Sequence, residues 1–175
     1  MKNILLLSIV LIFTNTLSAK VLISPINAMK EQYGENTTIN KRNILLSTQK
    51  FKDIQKSANT RLNTKIYRIF TAKLNDKILG YGILINRTVR SKNMVVLYFI
   101  SKNVLKDIQI IAFNEPPEYI PSTIWKSQFR NIKTTNMLRV SREIPTITGA
   151  TLSARGVTDS SRIAFSIYNE LFKGK

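Results

Sequence analysis

Thr148 and Thr151 bracket Gly149 and Ala150 in the stretch PTITGATLSARG, residues 145–156, just ahead of a long amphipathic run to the C-terminus. A helix that begins there presents unpaired backbone N–H groups and the positive end of its dipole, so a hydroxyl at that point stands where a phosphate is favoured. The same spacing suits a plainer task. Either threonine can cap the helix through its own side-chain oxygen, with Gly149 permitting a tight turn. Spacing alone leaves both readings open.

Other chemistries are excluded by what the chain lacks. It has no cysteine and no histidine, which removes disulfides, thiolate nucleophiles, ordinary N/S zinc sites, imidazole bases and His-ligated haem. A Ser-His-Asp triad is impossible, and acids such as Asp53, Asp76, Asp107 and Asp159 form no tight cluster in sequence. Redox work would therefore need an organic cofactor. The balance of 27 Lys+Arg against 10 Asp+Glu gives a formal charge of +17, so the surface is basic and an anionic partner is expected.

The elements that must hold the threonines follow from periodicity. Residues 1–19 show a lysine, an apolar run from Ile4 to Phe13 and the small-residue ending Leu17-Ser18-Ala19, which reads as a cleavable signal peptide. The apolar run is about half the roughly 20 residues a spanning helix needs, and a retained anchor is the lesser alternative. Removal of this leader leaves +16 on an exported domain. Ser24-Pro25 opens a short helix carrying Ile26, Met29 and Tyr33 and ending at Gly34. Residues 35–46 read as polar and turn-like. A second helix follows, capped by Ser47 or Thr48, with Phe51, Ile54 and Ala58 on one face.

From Thr64 the period changes. TKIYRIFTAKL, KILGYGILINRTV and KNMVVLYFIS are rich in β-branched and aromatic residues and predict a three-strand antiparallel meander, with LKDIQIIAF as a fourth strand. EYIPSTIWKSQFRN predicts a short helix with Ile124, Trp125 and Phe129 on its inner side. The final helix places Val157, Ser161, Ala164, Phe165, Tyr168, Leu171 and Phe172 on one stripe, opposite Asp159, Arg162, Ser166 and Lys173. The expected architecture is α+β, a twisted, mainly antiparallel sheet covered by helices in one domain. Asn36-Thr37-Thr38 and Asn86-Arg87-Thr88 match a glycosylation pattern and receive no role.

The segment ITGATLS resembles the Ser/Thr-Gly-Ala-Thr-x-Ser/Thr motif of the FMN-binding domain family, which includes the covalent-flavin subunits of the Rnf and Nqr redox complexes. The resemblance implies an FMN-binding-domain-like fold over residues 20–175. It also implies that a flavin transferase esterifies Thr151 to the phosphate of FMN, with Thr148, Gly149, Ala150 and Ser153 completing the motif. ILGYG is similar to the family's Val-Gly-Tyr strand. IQIIAFNEPPEY is similar to the strand that enters a Glu-Thr-Pro-Gly loop beside the flavin, where Glu115 and Pro117 match and Pro116 and Glu118 depart. A second departure is Pro145, which stands where the transferase motif commonly carries an acid; Glu143 is the nearest one.

These observations lead to an exported, periplasmic flavoprotein that carries electrons through FMN and has no substrate site of its own. Its expected partners are the transferase and an acidic or membrane-bound redox protein, with possible membrane-surface contact and no nucleic acid. Arg142 and Arg155 are candidate cations for stabilising the reduced flavin. Tyr81, Phe113, Trp125 and Phe129 either stack on the ring or fill the core. The competing class is a basic, non-redox binding module for anionic partners, and a flavin enzyme reducing a small acceptor is a third.

Overall fold

The computed structural model describes residues 21–174; the leader read over residues 1–19 lies outside them. Four helices and six strands are present among the described residues: α1 (Pro25–Tyr33), β1 (Thr38–Leu45), α2 (Thr48–Ala58), β2 (Ile66–Leu74), β3 (Lys77–Thr88), β4 (Asn93–Ser101), β5 (Val104–Phe113), α3 (Thr123–Ser127), β6 (Ile132–Lys133) and α4 (Thr151–Leu171). The strands form one antiparallel sheet in sequential order, β1 to β6. The protein is α+β.

Local chemistry sets the element ends. Ser24 Oγ accepts the Asn27 N–H at 3.1 Å and Pro25 opens α1, while Ser47 Oγ accepts the Lys50 N–H and starts α2. Asn75-Asp76 and Lys102-Asn103 all have positive φ, the geometry of two-residue hairpin turns whose twist matches the strands they join.

Side chains alternate between two cores, so β4 reads as an unbroken apolar run. Tyr67, Ile69, Ile83, Val96, Tyr98 and Ile100 pack under α2 and α4. Phe70, Ala72, Leu97, Phe99 and Ile111 face the other way, onto Ala28 and Met29 of α1. The ILGYG stretch is what lets α1 approach. A Cβ at Gly80 would stand 2.6 Å from ring carbons of Tyr33, and one at Gly82 would meet Met29 Sδ. Tyr33 is thereby seated with its hydroxyl 3.4 Å from the carbonyls of Tyr81 and Ile100, and burial pushes its phenol pKa well up.

Three expectations are corrected. Residues 35–46 are not merely turn-like: they contain β1, paired with β2 from Thr38↔Lys73 to Leu45↔Ile66. As an edge strand it has only Ile39 and Ile44 half-buried, so no apolar alternation announces it, and its lysine and arginine are what an exposed edge tolerates. Trp125 of α3 and Phe129 just beyond its end point inward as expected, but Ile124 is 84% exposed, because a five-residue helix has a narrow buried face. On α4 the expected stripe is buried from Val157 to Tyr168 and half-buried at Leu171 and Phe172. Ser166, however, is also buried, and Asp159 and Arg162 are largely so. A second face of α4 is covered by α2 and the loop before α4: Ser166 Oγ donates to Ser57 Oγ at 3.2 Å, and Arg162 donates to Leu138 O.

The glycine fit yields a prediction. Gly80→Ala drives a methyl into the rigid Tyr33 ring and should cost about 1–3 kcal/mol in urea unfolding. On a Tyr33→Ala background the same change should cost much less, a coupling that a double-mutant cycle resolves. Additive penalties would show that Gly80 is not shaped by Tyr33.

Candidate functional site

The start of α4 departs from an ordinary capped helix. Its N-cap is Ala150, with no side-chain cap hydrogen bond. Ala154 is the first residue whose N–H bonds back into the helix, to Ala150 O at 3.1 Å. The N–H groups of Thr151, Leu152 and Ser153 have no protein acceptor among the described residues. Neither Thr148 nor Thr151 caps the helix, so that reading of their hydroxyls is set aside. Thr151 is exposed, and its Oγ1 makes only a long 3.5 Å contact as donor to Ile147 O. Gly149 does make the turn, at φ +78°, a conformation that strains any residue with a Cβ.

A cleft of about 190 Å³ opens beside this helix end. One wall is Gly149, Ala150, Thr151, Leu152 and the buried Ser153. The other is Val89 and Arg90 of the β3–β4 turn, with Glu115 and Tyr119. Arg90 lies over the Tyr119 ring, 5.8 Å from its centroid, a cation–π distance.

Glu115 builds that second wall. It is 7% exposed, and its Oε1 accepts three backbone N–H bonds, from Arg90 (3.1 Å), Ser91 (2.6 Å) and Lys92 (2.8 Å). The amides of Ser91 and Lys92, with Arg90 adding to them, hold its carboxyl below the usual range. The carboxylate is thus a clamp on the 89–92 turn, with Oε1 engaged by three amides of its own chain.

Of the residues the sequence nominated, Thr151, Gly149, Ala150, Ser153 and Glu115 line this one cleft; Thr148 and Pro117 are exposed and lie outside its lining. Pro117 instead opens the single 3₁₀ turn that carries Tyr119. The nominated aromatics are elsewhere. Trp125 packs on Phe129 at 5.2 Å and donates its indole N–H to Pro145 O at 2.9 Å; Phe113 is buried, and Tyr81 stacks on Phe172 at 4.4 Å. Val89, Arg90, Tyr119 and Leu152 were missed. Leu152, flanked by Thr151 and Ser153, and Tyr119, two residues after Pro117, had a neighbouring signal; Val89 and Arg90 had none.

A second, polar cleft of about 230 Å³ lies on the other side of Thr151, between α4 and the loop of residues 139–146. Arg139, Arg155 and Arg162 face it. Asp159 bridges Arg162 (2.9 Å) and Arg87 (3.1 Å), while Arg162 also donates to Ala58 O and Leu138 O. Glu143 is bound to Arg139 at 2.8 Å, which draws its pKa down to about 2, so the acid nearest to Pro145 is already committed.

No protein-family model matches the chain, and no curated protein matches it significantly.

The Glu115 clamp carries a pH signature. A carboxyl whose folded pKa is depressed contributes stability that is present above its unfolded value, near 4.3, and lost as pH falls through the folded one. Glu115→Gln should therefore be less stable than wild type at pH 7, with the gap narrowing between about pH 5 and pH 3. Urea titrations at each pH measure it. A gap independent of pH would mean that the turn amides do not respond to the charge.

Proposed function

We propose that this protein is an exported, FMN-binding-domain-like flavoprotein whose FMN is joined through a phosphoester to Thr151. The observation that carries the reading is one juxtaposition: an exposed threonine hydroxyl, free of capping, at the unpaired N-terminus of a 21-residue helix and on the rim of a cleft. Five of the seven residues singled out by the motif resemblance surround that cleft.

The residues suit such a group. Free N–H groups of Thr151, Leu152 and Ser153 favour an anionic substituent at the helix end. Val89, Leu152 and Tyr119 offer apolar and aromatic contact, and Arg90 supplies a cation near it. Pockets that enclose a ligand of this size hold about 300–1,000 Å³, so a cleft of about 190 Å³ would take part of the flavin and leave the rest against the surface. FMN, when bound, supplies one- or two-electron transfer. The chain's own part is to hold the phosphate end, set the wall with Glu115 and present basic charge to partners.

Those partners are a flavin transferase for maturation and an acidic or membrane-bound redox protein for electron exchange, in the periplasm. No helix among the described residues is long and apolar enough to cross a membrane. The +17 charge also favours a second reading, a basic non-redox module for anionic partners. A protein that stays colourless beside a competent transferase would support that module.

Co-expression with a transferase tests the attachment. The wild type should gain the mass of one FMN phosphoester and keep its flavin spectrum through denaturation; Thr151→Ala should abolish both, and Thr151→Ser should retain part. Since Thr151 is exposed and caps nothing, Thr151→Ala should change stability by no more than about 0.5 kcal/mol. Covalent flavin on Thr151→Ala would overturn the assignment. Uptake only after Pro145→Asp would keep Thr151 as the site and locate the block at the missing acid.

A further inference from the structure

The cleft between α4 and residues 139–146 shares Thr151 with the first cleft but is otherwise lined by different residues, and its chemistry is more polar. Thr151, Arg155, Asp159 and Arg162 follow at helical spacing along one face of α4, and Arg139, Ser141 and Thr146 face them from the loop. The loop is a closed unit. Arg139 N–H donates to Glu143 Oε2 at 2.9 Å, its guanidinium is bidentate on the same carboxylate, and Val140 bridges Ile144.

Charge in and behind the cleft does not balance. Asp159 is shared by Arg87 and Arg162, and Glu143 is taken by Arg139. Four arginines thus face two carboxylates, leaving two positive charges uncompensated. Arg155 has neither ion pair nor hydrogen bond among the described residues, although it lines the cleft. The remaining lining groups include the hydroxyls of Ser141 and Thr146, and that of Thr151 in the flavin-free protein. A dianion with several acceptor oxygens fits this set: guanidinium forks match phosphoryl oxygens in pairs, and hydroxyls supply single donors.

We propose that this cleft is a phosphoryl-binding site with Arg155 as its principal ligand, Arg139 and the Thr146 hydroxyl supporting it. The phosphoryl group belongs either to a free phosphate or to a phosphate carried by FMN at the neighbouring cleft.

Inorganic phosphate is titrated into flavin-free full-length protein at constant ionic strength, followed by calorimetry and by amide and guanidinium chemical shifts. The proposal expects one saturable site, with shifts confined to residues 139–162. Arg155→Gln should weaken phosphate binding at least tenfold. Lys52→Gln, which removes the same charge from the exposed face of α2, should leave it unchanged. Arg155 is exposed, so the variant is expected to fold, which its thermal melt checks. Unsaturable binding, shifts spread over the basic surface, or equal loss in both variants would overturn the site. FMN and riboflavin titrations separate the sources: phosphate competition with FMN but not with riboflavin assigns the site to the flavin's phosphate, and absence of competition assigns it to free phosphate. Should a competent transferase leave no flavin on either the wild type or Pro145→Asp, the flavin reading fails while the phosphate result stands by itself.

Discussion

The position of Thr151 depends on how closely α4 lies against the sheet. The helix makes that approach with small residues: Ala154, Gly156, Thr158, Ser160, Ser161 and Ala164 are all buried, and a Cβ on Gly156 would come to 3.2 Å from Met94 Cε. Buried hydroxyls normally weaken such an interface. Here Thr158 and Ser161 turn theirs back onto helical carbonyls, of Ala154 and Thr158. Tyr98 adds a bond through the interface itself, its hydroxyl donating to Val157 O at 2.7 Å, and burial raises that phenol's pKa above its ordinary value. The ion cluster of Arg87, Asp159 and Arg162 then ties α4 to β3, to the end of α2 and to the loop at Leu138. Rotation or sliding of α4 would break several buried polar contacts together. The first turn inherits that rigidity.

Four of the chain's ten acids are engaged in internal contacts of this kind. Asp107 pairs with Arg130, Glu115 clamps the β3–β4 turn, Glu143 closes the 139–146 loop and Asp159 joins two arginines. These carboxylates serve internal architecture in the C-terminal half of the fold. Between residues 36 and 106 the chain carries fifteen Lys and Arg against only Asp53 and Asp76. That excess contributes little to folding, since repulsion among surface cations disfavours the compact state. It suits association with an anionic surface or protein, which salt weakens because the charges are solvated.

Sequence legibility followed the range of the interactions involved. The hairpin turn at Asn75-Asp76 and the cap at Ser24 are local chemistry and read correctly, and the cap of α2 was narrowed to Ser47 or Thr48, of which Ser47 caps. β1 did not, because an edge strand is specified by its partner β2 more than by its own pattern. Asp159, Arg162 and Ser166 look like a solvated face until α2 and the 134–147 segment are known to cover them. In the candidate site, Gly149 to Ser153 were legible because they are contiguous. Glu115 was found by resemblance, but its role as an acceptor for the amides of residues 90–92 is a contact across more than twenty positions, and Arg90 and Tyr119 came to the cleft with it.

One local rule is broken at the centre of the site. A serine or threonine at the N-cap of α4 would satisfy an orphan N–H and add about 1 kcal/mol, and two threonines stand close enough to try. The chain instead places Ala150 at the cap, gives the tight turn to Gly149, and leaves Thr151 one residue inside with its oxygen uncommitted. A 21-residue helix with thirteen buried residues makes the missing cap tolerable. Had Thr151 been the cap, its oxygen would accept a backbone N–H and turn inward, unable to carry a substituent. The uncapped N–H groups and the free hydroxyl are therefore two aspects of one arrangement, and an anion attached at that oxygen would meet the donors the helix leaves open.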